Sequence, residues 1–116
     1  LAGFDGTGVT VGIVELGGAY YDADLVAFCA KNGIPVPQVT TVSVGGAAQH
    51  PDPTGADGEV ALDVQVVAAI APKAHIRVYF AANTDAGFLA GIQQAAAECQ
   101  VVSVSWGGPE NSWSPS

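Results

Sequence analysis

Glu59 and Asp63 are two carboxylates four residues apart in Asp57-Gly58-Glu59-Val60-Ala61-Leu62-Asp63, at the head of a run that is otherwise apolar. The run continues through Val64-Gln65-Val66-Val67-Ala68-Ala69-Ile70, with no breaker until Pro72. Its apolar residues recur at helical spacing, and on a helix positions four apart share one face. Like charges so placed oppose helix formation unless they share a proton, bind a metal or face a cation. Lys73, the nearest basic residue downstream, lies too far along to pair with both. Two readings stand: a shared proton with acid–base chemistry, or a solvated polar face.

Two further positions attract attention once the elements around them are drawn. Gly3 to Gly8 is rich in turn formers and leads into Val9-Thr10-Val11-Gly12-Ile13-Val14, a β-branched run typical of a buried strand. Asp22 to Lys31 is expected to be helical, with Asp22 as N-cap and Gly33 as the stop. Gln38 to Val44 is expected as a strand and Gly45 to Asp57 as a long loop, a length that often signals function. A helix from Gly58 to Ile70, a strand from His75 to Phe80, a helix from Asp85 to Glu98 and a strand from Val101 to Ser105 complete the order. Alternating strands and helices imply an α/β fold, a parallel sheet covered by helices, with ligands at the carboxyl ends of strands. Glu15 and Ser105-Trp106-Gly107-Gly108 fall at that edge. Glu15 either acts there or simply starts a loop. Two glycines after a strand allow a peptide backbone to come close, or form an ordinary turn with Trp106 in the core.

Composition narrows the function classes. The 116 residues are 49% hydrophobic and 12% charged, with a formal net charge of −8. Such a chain is one domain and is too apolar to be disordered. So apolar a surface also suits a piece of something larger. Nothing here neutralises phosphates, so nucleic acid is excluded as a partner. Gly, Pro or charge interrupts every candidate membrane span. The acidic bias suits life at low pH. Cys29 and Cys99 lie outside any zinc spacing with His50 and His75, and two separate buried thiols are expected, with a single disulfide as the alternative. Gly6-Thr7-Gly8 precedes its strand and so is not a dinucleotide fingerprint. Asp52 and Asp57 lack the spacing of a calcium loop, and no metal site is expected in this chain. His50, beside two prolines, is expected to be a solvated loop residue. No signal peptide or Asn-X-Ser/Thr sequon is visible.

Val11-Gly-Ile-Val-Glu15-Leu-Gly-Gly, Gly55-Ala-Asp57-Gly-Glu59-Val-Ala-Leu-Asp63, Ala71-Pro-Lys-Ala and Ser103-Val-Ser-Trp106-Gly-Gly-Pro-Glu together resemble the sedolisins, the serine-carboxyl peptidases, and most of all their kumamolisin-like branch. The resemblance runs from Gly6 to Trp113 and implies a partial subtilisin-like fold, with residues 1–116 as an N-terminal portion of the catalytic domain. It implies Glu59 as general base, Asp63 as its partner, and Glu15 and Trp106 as extensions of the network, Glu15 reaching Glu59 and the indole anchoring Glu15. It implies Ser105, Trp106, Gly107 and Gly108 as substrate-binding. Burial and a carboxylate neighbour can raise the pKa of Glu59 enough to make it a base for a serine hydroxyl. The two acids then titrate as a unit.

The family's nucleophilic serine lies in a Gly-Thr-Ser motif, and neither that motif nor the oxyanion-hole aspartate occurs here. Ser103, Ser105, Ser112 and Ser114 do not match the first; Asp5, Asp22, Asp24 and Asp85 do not match the second. Calcium is expected only in the missing C-terminal part of the domain. The expected partners are a peptide or protein substrate, the remainder of the catalytic domain and an inhibitory propeptide, and the isolated fragment is expected to self-associate. The resemblance also implies a secreted enzyme active at acidic pH. A non-catalytic binding module on the same scaffold is the alternative, and an open reading frame running past Ser116 into a Gly-Thr-Ser motif distinguishes the two. A carboxylate-pair glycosidase fits less well, because its acids stand farther apart across a sugar ring.

Overall fold

The computed structural model describes residues 3–113, so Ser114 lies outside the described residues. Four strands, β1 (Thr10–Glu15), β2 (Gln38–Ser43), β3 (His75–Phe80) and β4 (Val101–Val104), alternate with helices α1 (Asp22–Asn32), α2 (Ala56–Ile70) and α3 (Asp85–Glu98). A short 3-10 turn, Glu110–Ser112, follows β4. The sheet is wholly parallel in the order β2-β3-β1-β4. In register, Glu15 pairs with Phe80 and Val11 with Val101.

Alternation along the strands divides the core into two layers. Ile13, Ile76, Val78 and Phe80 face Leu25 and Cys29 of α1 and Val60, Val64 and Ala68 of α2. On the other face, Val14 and Tyr79 meet Phe88 and Ala95 of α3. The helices approach this closely because small residues line the contact. A Cβ on Gly91 would sit 3.1 Å from Val14 Cγ1. Cys29 and Cys99 are free thiols that pack with opposite layers, Cys29 buried and Cys99 half-buried against the expectation that both are buried.

The strand order carries an unusual connection. The step from β1 to β2 and the step from β2 to β3 run in opposite directions across the sheet, yet α1 and α2 lie on one face. The step from β3 to β4 runs the same way as that from β2 to β3, yet α3 lies on the other face. The β2-α2-β3 crossover therefore has the opposite hand to the other two. Since about 98% of parallel crossovers are right-handed, α2 rides on the left-handed one.

Boundaries shift where tertiary bonds override local signals. Asp22 is not the N-cap of α1; Tyr21 holds that position without a side-chain bond, and the Asp22 carboxylate accepts from Tyr20 Oη at 2.7 Å. Gly33 does end α1, in the left-handed conformation at φ 65°. The loop before α2 is fastened to the loop after β1. His50 N donates to Gly18 O at 3.0 Å, Tyr20 N to Gln49 Oε1 at 2.8 Å, and Ala19 N to Asp57 Oδ1 at 2.8 Å. Asp57 Oδ1 also accepts from Asp52 N at 2.9 Å, and Asp52 Oδ2 accepts from Ala56 N at 2.9 Å, so α2 begins two residues before the expected Gly58. His50 itself stays exposed.

Gly18 makes this fastening possible. Its φ is 76°, and a Cβ there would lie 2.6 Å from Ala56 O. Gly18→Ala is expected to cost about 1–3 kcal/mol by pushing the start of α2 away from β1, measured as a lowered urea midpoint with an unchanged slope.

Candidate active site

Glu15 is the last residue of β1, and alternation points its side chain to the layer of α1 and α2. It is fully buried, at 0% exposure. Asp63, one helical turn beyond Glu59 on α2, is buried too. The Trp106 indole N–H donates to Glu15 Oε2 at 2.8 Å. Glu15 Oε1 and Asp63 Oδ2 are buried with no N–H or O–H partner among the described residues. Burial without a donor is costly for an ionised oxygen, and two carboxyl oxygens bond only through a proton. A hydrogen between Glu15 and Asp63 satisfies both.

The electrostatics agree. Loss of solvent, then the bond to Asp63, pushes the Glu15 carboxyl up to about 9, although the Trp106 indole pulls the other way. Glu59 is half-buried, and its carboxyl is raised chiefly by a hydrogen bond to Asp63 and then by burial. A bond from the Ser105 hydroxyl lowers it in opposition. The four acid and indole groups singled out in the sequence are thus brought together by β1, α2 and the segment after β4. One expected link differs. Glu15 bonds Asp63 rather than Glu59, which it senses only through charge, because Asp63 lies between them. Asp63 is the centre of a row Glu59–Asp63–Glu15–Trp106 whose outer end, Glu59, reaches the surface.

Ser105, Gly107 and Gly108 are exposed and Trp106 is half-buried, in irregular backbone at the carboxyl end of β4. These are the four residues that the family resemblance implies as substrate-binding. Trp113 Nε1 donates to Gly108 O at 3.2 Å, so that carbonyl is already engaged by the chain itself. Two clefts share Leu16 and Asn83, and one of them borders the segment 105–108 at Trp106 and Gly107. The wider, about 490 Å³, is walled by small residues, among them Ala47, Ala48 and Ala81. The narrower, about 140 Å³, lies between Phe88, Trp106 and Trp113. Trp113 and the Ser105 bond to Glu59 escape a reading of spacing alone. An aromatic so near Trp106 was the available signal for the first. Nothing local marked the second.

Among the described residues, no three His, Cys, Asp or Glu side chains form a group able to hold a metal ion. No helix among them is long and apolar enough to cross a membrane.

A protonated Glu15 gives the fold a defined pH dependence. Its folded pKa stands above the unfolded value of 4.5, so the folded state holds the extra proton and stability is fully present below pH 4.5. It is lost as pH rises from 4.5 to about 9, by up to about 1.4 kcal/mol per pH unit. Thermal midpoints followed by circular dichroism should fall across that window. Glu15→Gln, which keeps the donor and the shape, should flatten the curve; an unchanged slope in that variant would show that Glu15 is ionised in the fold.

The chain is 51% identical over 97% of its length to kumamolisin from Bacillus sp. (strain MN-32) and spans 22% of that protein. Its structure is similar to Pseudomonas sedolisin, a serine-carboxyl proteinase solved in complex with two molecules of pseudo-iodotyrostatin. The TM-score is 0.78 at 27% identity, over 96% of this chain and 33% of that one. No family model matches the chain.

Proposed function

From a segment of the sedolisin family, shown by likeness to kumamolisin in sequence and to sedolisin in fold, we propose that this chain carries the base side of a serine-carboxyl endopeptidase working at acidic pH. The observation that carries the proposal is the buried carboxyl row of Glu15 and Asp63 that ends in the half-buried Glu59. Glu59 is the general base. As a serine hydroxyl supplied from outside this segment attacks a peptide carbonyl, Glu59 takes its proton and then returns it to the leaving amine. Accepting that proton relieves repulsion between Glu59 and Asp63, which strengthens a carboxylate that would otherwise be a poor base. Asp63 orients Glu59 as aspartate orients histidine in the Ser-His-Asp triad. Glu15 and Trp106 are positioning residues that hold Asp63 through one proton and one indole N–H.

A site built to keep protons is suited to acid, and we place the enzyme outside the cell. Its substrate is a peptide or protein lying along Ser105 to Gly108, and an inhibitory propeptide would use the same surface. Calcium belongs to a part of the domain outside these residues. The remainder of that domain would cover Val101 and Val104 on edge strand β4 and the stripe of Leu62, Val66 and Ile70 on α2, which are 55%, 53% and 60% exposed. Without that cover, the same surface would drive self-association of the segment.

Glu59→Gln in the full-length protein should reduce cleavage of a denatured protein substrate at acidic pH by 100-fold or more, on the order of a lost general base, with the thermal midpoint little changed. Wild-type turnover in that variant removes Glu59 from the role.

A further inference from the structure

We propose that Ser105 is a positioning residue for Glu59, whose hydroxyl holds that carboxyl as an anion under acid and so sets how far into acid the site can work. The proposal rests on the peptidase reading above and adds the group that opposes the proton-keeping tendency of the carboxyl row.

Ser105 and Trp106 are neighbours in sequence, yet each bonds a different end of the row. Trp106 Nε1 donates to Glu15 Oε2 at 2.8 Å, and the Ser105 side chain bonds the Glu59 carboxyl. Regular alternation would send consecutive side chains to opposite faces of the sheet. Here β4 ends at Val104, and the irregular backbone beyond it lets both side chains turn to the same row. The sheet fixes where this happens. Val104 pairs with Val14 in register, which brings Ser105 beside the end of β1 where Glu15 stands. Glu59 is therefore held from two elements, by Asp63 within α2 and by Ser105 from the sheet.

These two contacts act in opposite directions. Asp63 meets Glu59 from its own helix and Glu15 senses it from β1, and both are acids. Among the described residues no Lys, Arg or His pairs with Glu59. A carboxyl neighbour and partial burial both favour the neutral acid, which is useless as a base. A hydroxyl donor favours the carboxylate instead, and Ser105 supplies it. Without that bond Glu59 would stay protonated, and idle, over more of the acid range. Ser105 is exposed, so removing its hydroxyl opens no cavity and leaves its backbone in place.

The test follows kcat/KM against pH for the full-length protein on a quenched-fluorescence peptide. The acidic limb of that profile reports ionisation of the free enzyme's base, so Ser105→Ala should move it to higher pH. At the acid end the variant should lose about 10-fold, the worth of one hydrogen bond to a charged group, and the loss should shrink as pH rises. Ser105→Thr, which keeps a hydroxyl, should restore the limb. A limb unmoved in Ser105→Ala, a loss equal at every pH, or a Thr variant that behaves as Ala overturns the proposal. NMR titration of labelled glutamate carboxyls, with Glu59 assigned through Glu59→Gln, separates the two claims. A Glu59 midpoint that rises in Ser105→Ala, in a protein that cleaves no peptide, sinks the peptidase reading and leaves the hold of Ser105 on Glu59 standing. Cleavage with an unmoved midpoint sinks the role of Ser105 alone.

Discussion

A fully buried carboxyl at the end of a central strand sets the terms for the rest of this structure. Among the described residues no Lys, Arg or His pairs with Glu15, and burial without a cation favours its neutral form. Its proton must then have an acceptor, and Asp63 on α2 is the group positioned to be one. Its other oxygen needs a donor, and the Trp106 indole provides it. Three chain segments far apart in sequence are thereby held in register by two hydrogen bonds. Glu59, one turn from Asp63, inherits its position and its reluctance to ionise from that arrangement.

Holding α2 against the end of β1 falls to the loops that flank the two elements. The helix belongs to a crossover of the disfavoured hand, so the usual twist of strand and helix does not deliver it to this place. The compensation is a set of bonds to the loop after β1, from Ala19 N to Asp57, from Tyr20 N to Gln49 and from His50 N to Gly18 O, with Asp52 bracing Asp57 and Gly18 allowing the two backbones to touch. The long loop that stood out for its length is a fastening for the acid helix.

Much of this was legible in the residues. The β-branched run before Glu15, the alternating His75–Phe80 strand and the helix from Asp85 to Glu98 are set by local pattern and fall where that pattern puts them. Glu59 and Asp63 were readable because a helix brings residues four apart together. The link between Glu15 and Asp63 was not, since it depends on how β1 and α2 cross, which no local spacing encodes. The early start of α2 has a like origin, since Asp57 is held by Ala19 N of the loop after β1 and braced by Asp52 N. The strand order, and with it the hand of the crossover, is a property of the whole chain.

That strand order also bears on how the protein comes to be folded at all. β1 is made first, yet its two neighbours, β3 and β4, begin to pair with it about 65 and 90 residues later, as Val11 meets Ile76 and Val101. The entropy of closing such loops must be met before either ladder returns anything. Until then a strand with an acidic end and an apolar body waits uncovered beside the growing chain. Pairing a central strand across such separations is slow, and β2, made between β1 and β3, has no partner in the sheet until β3 arrives.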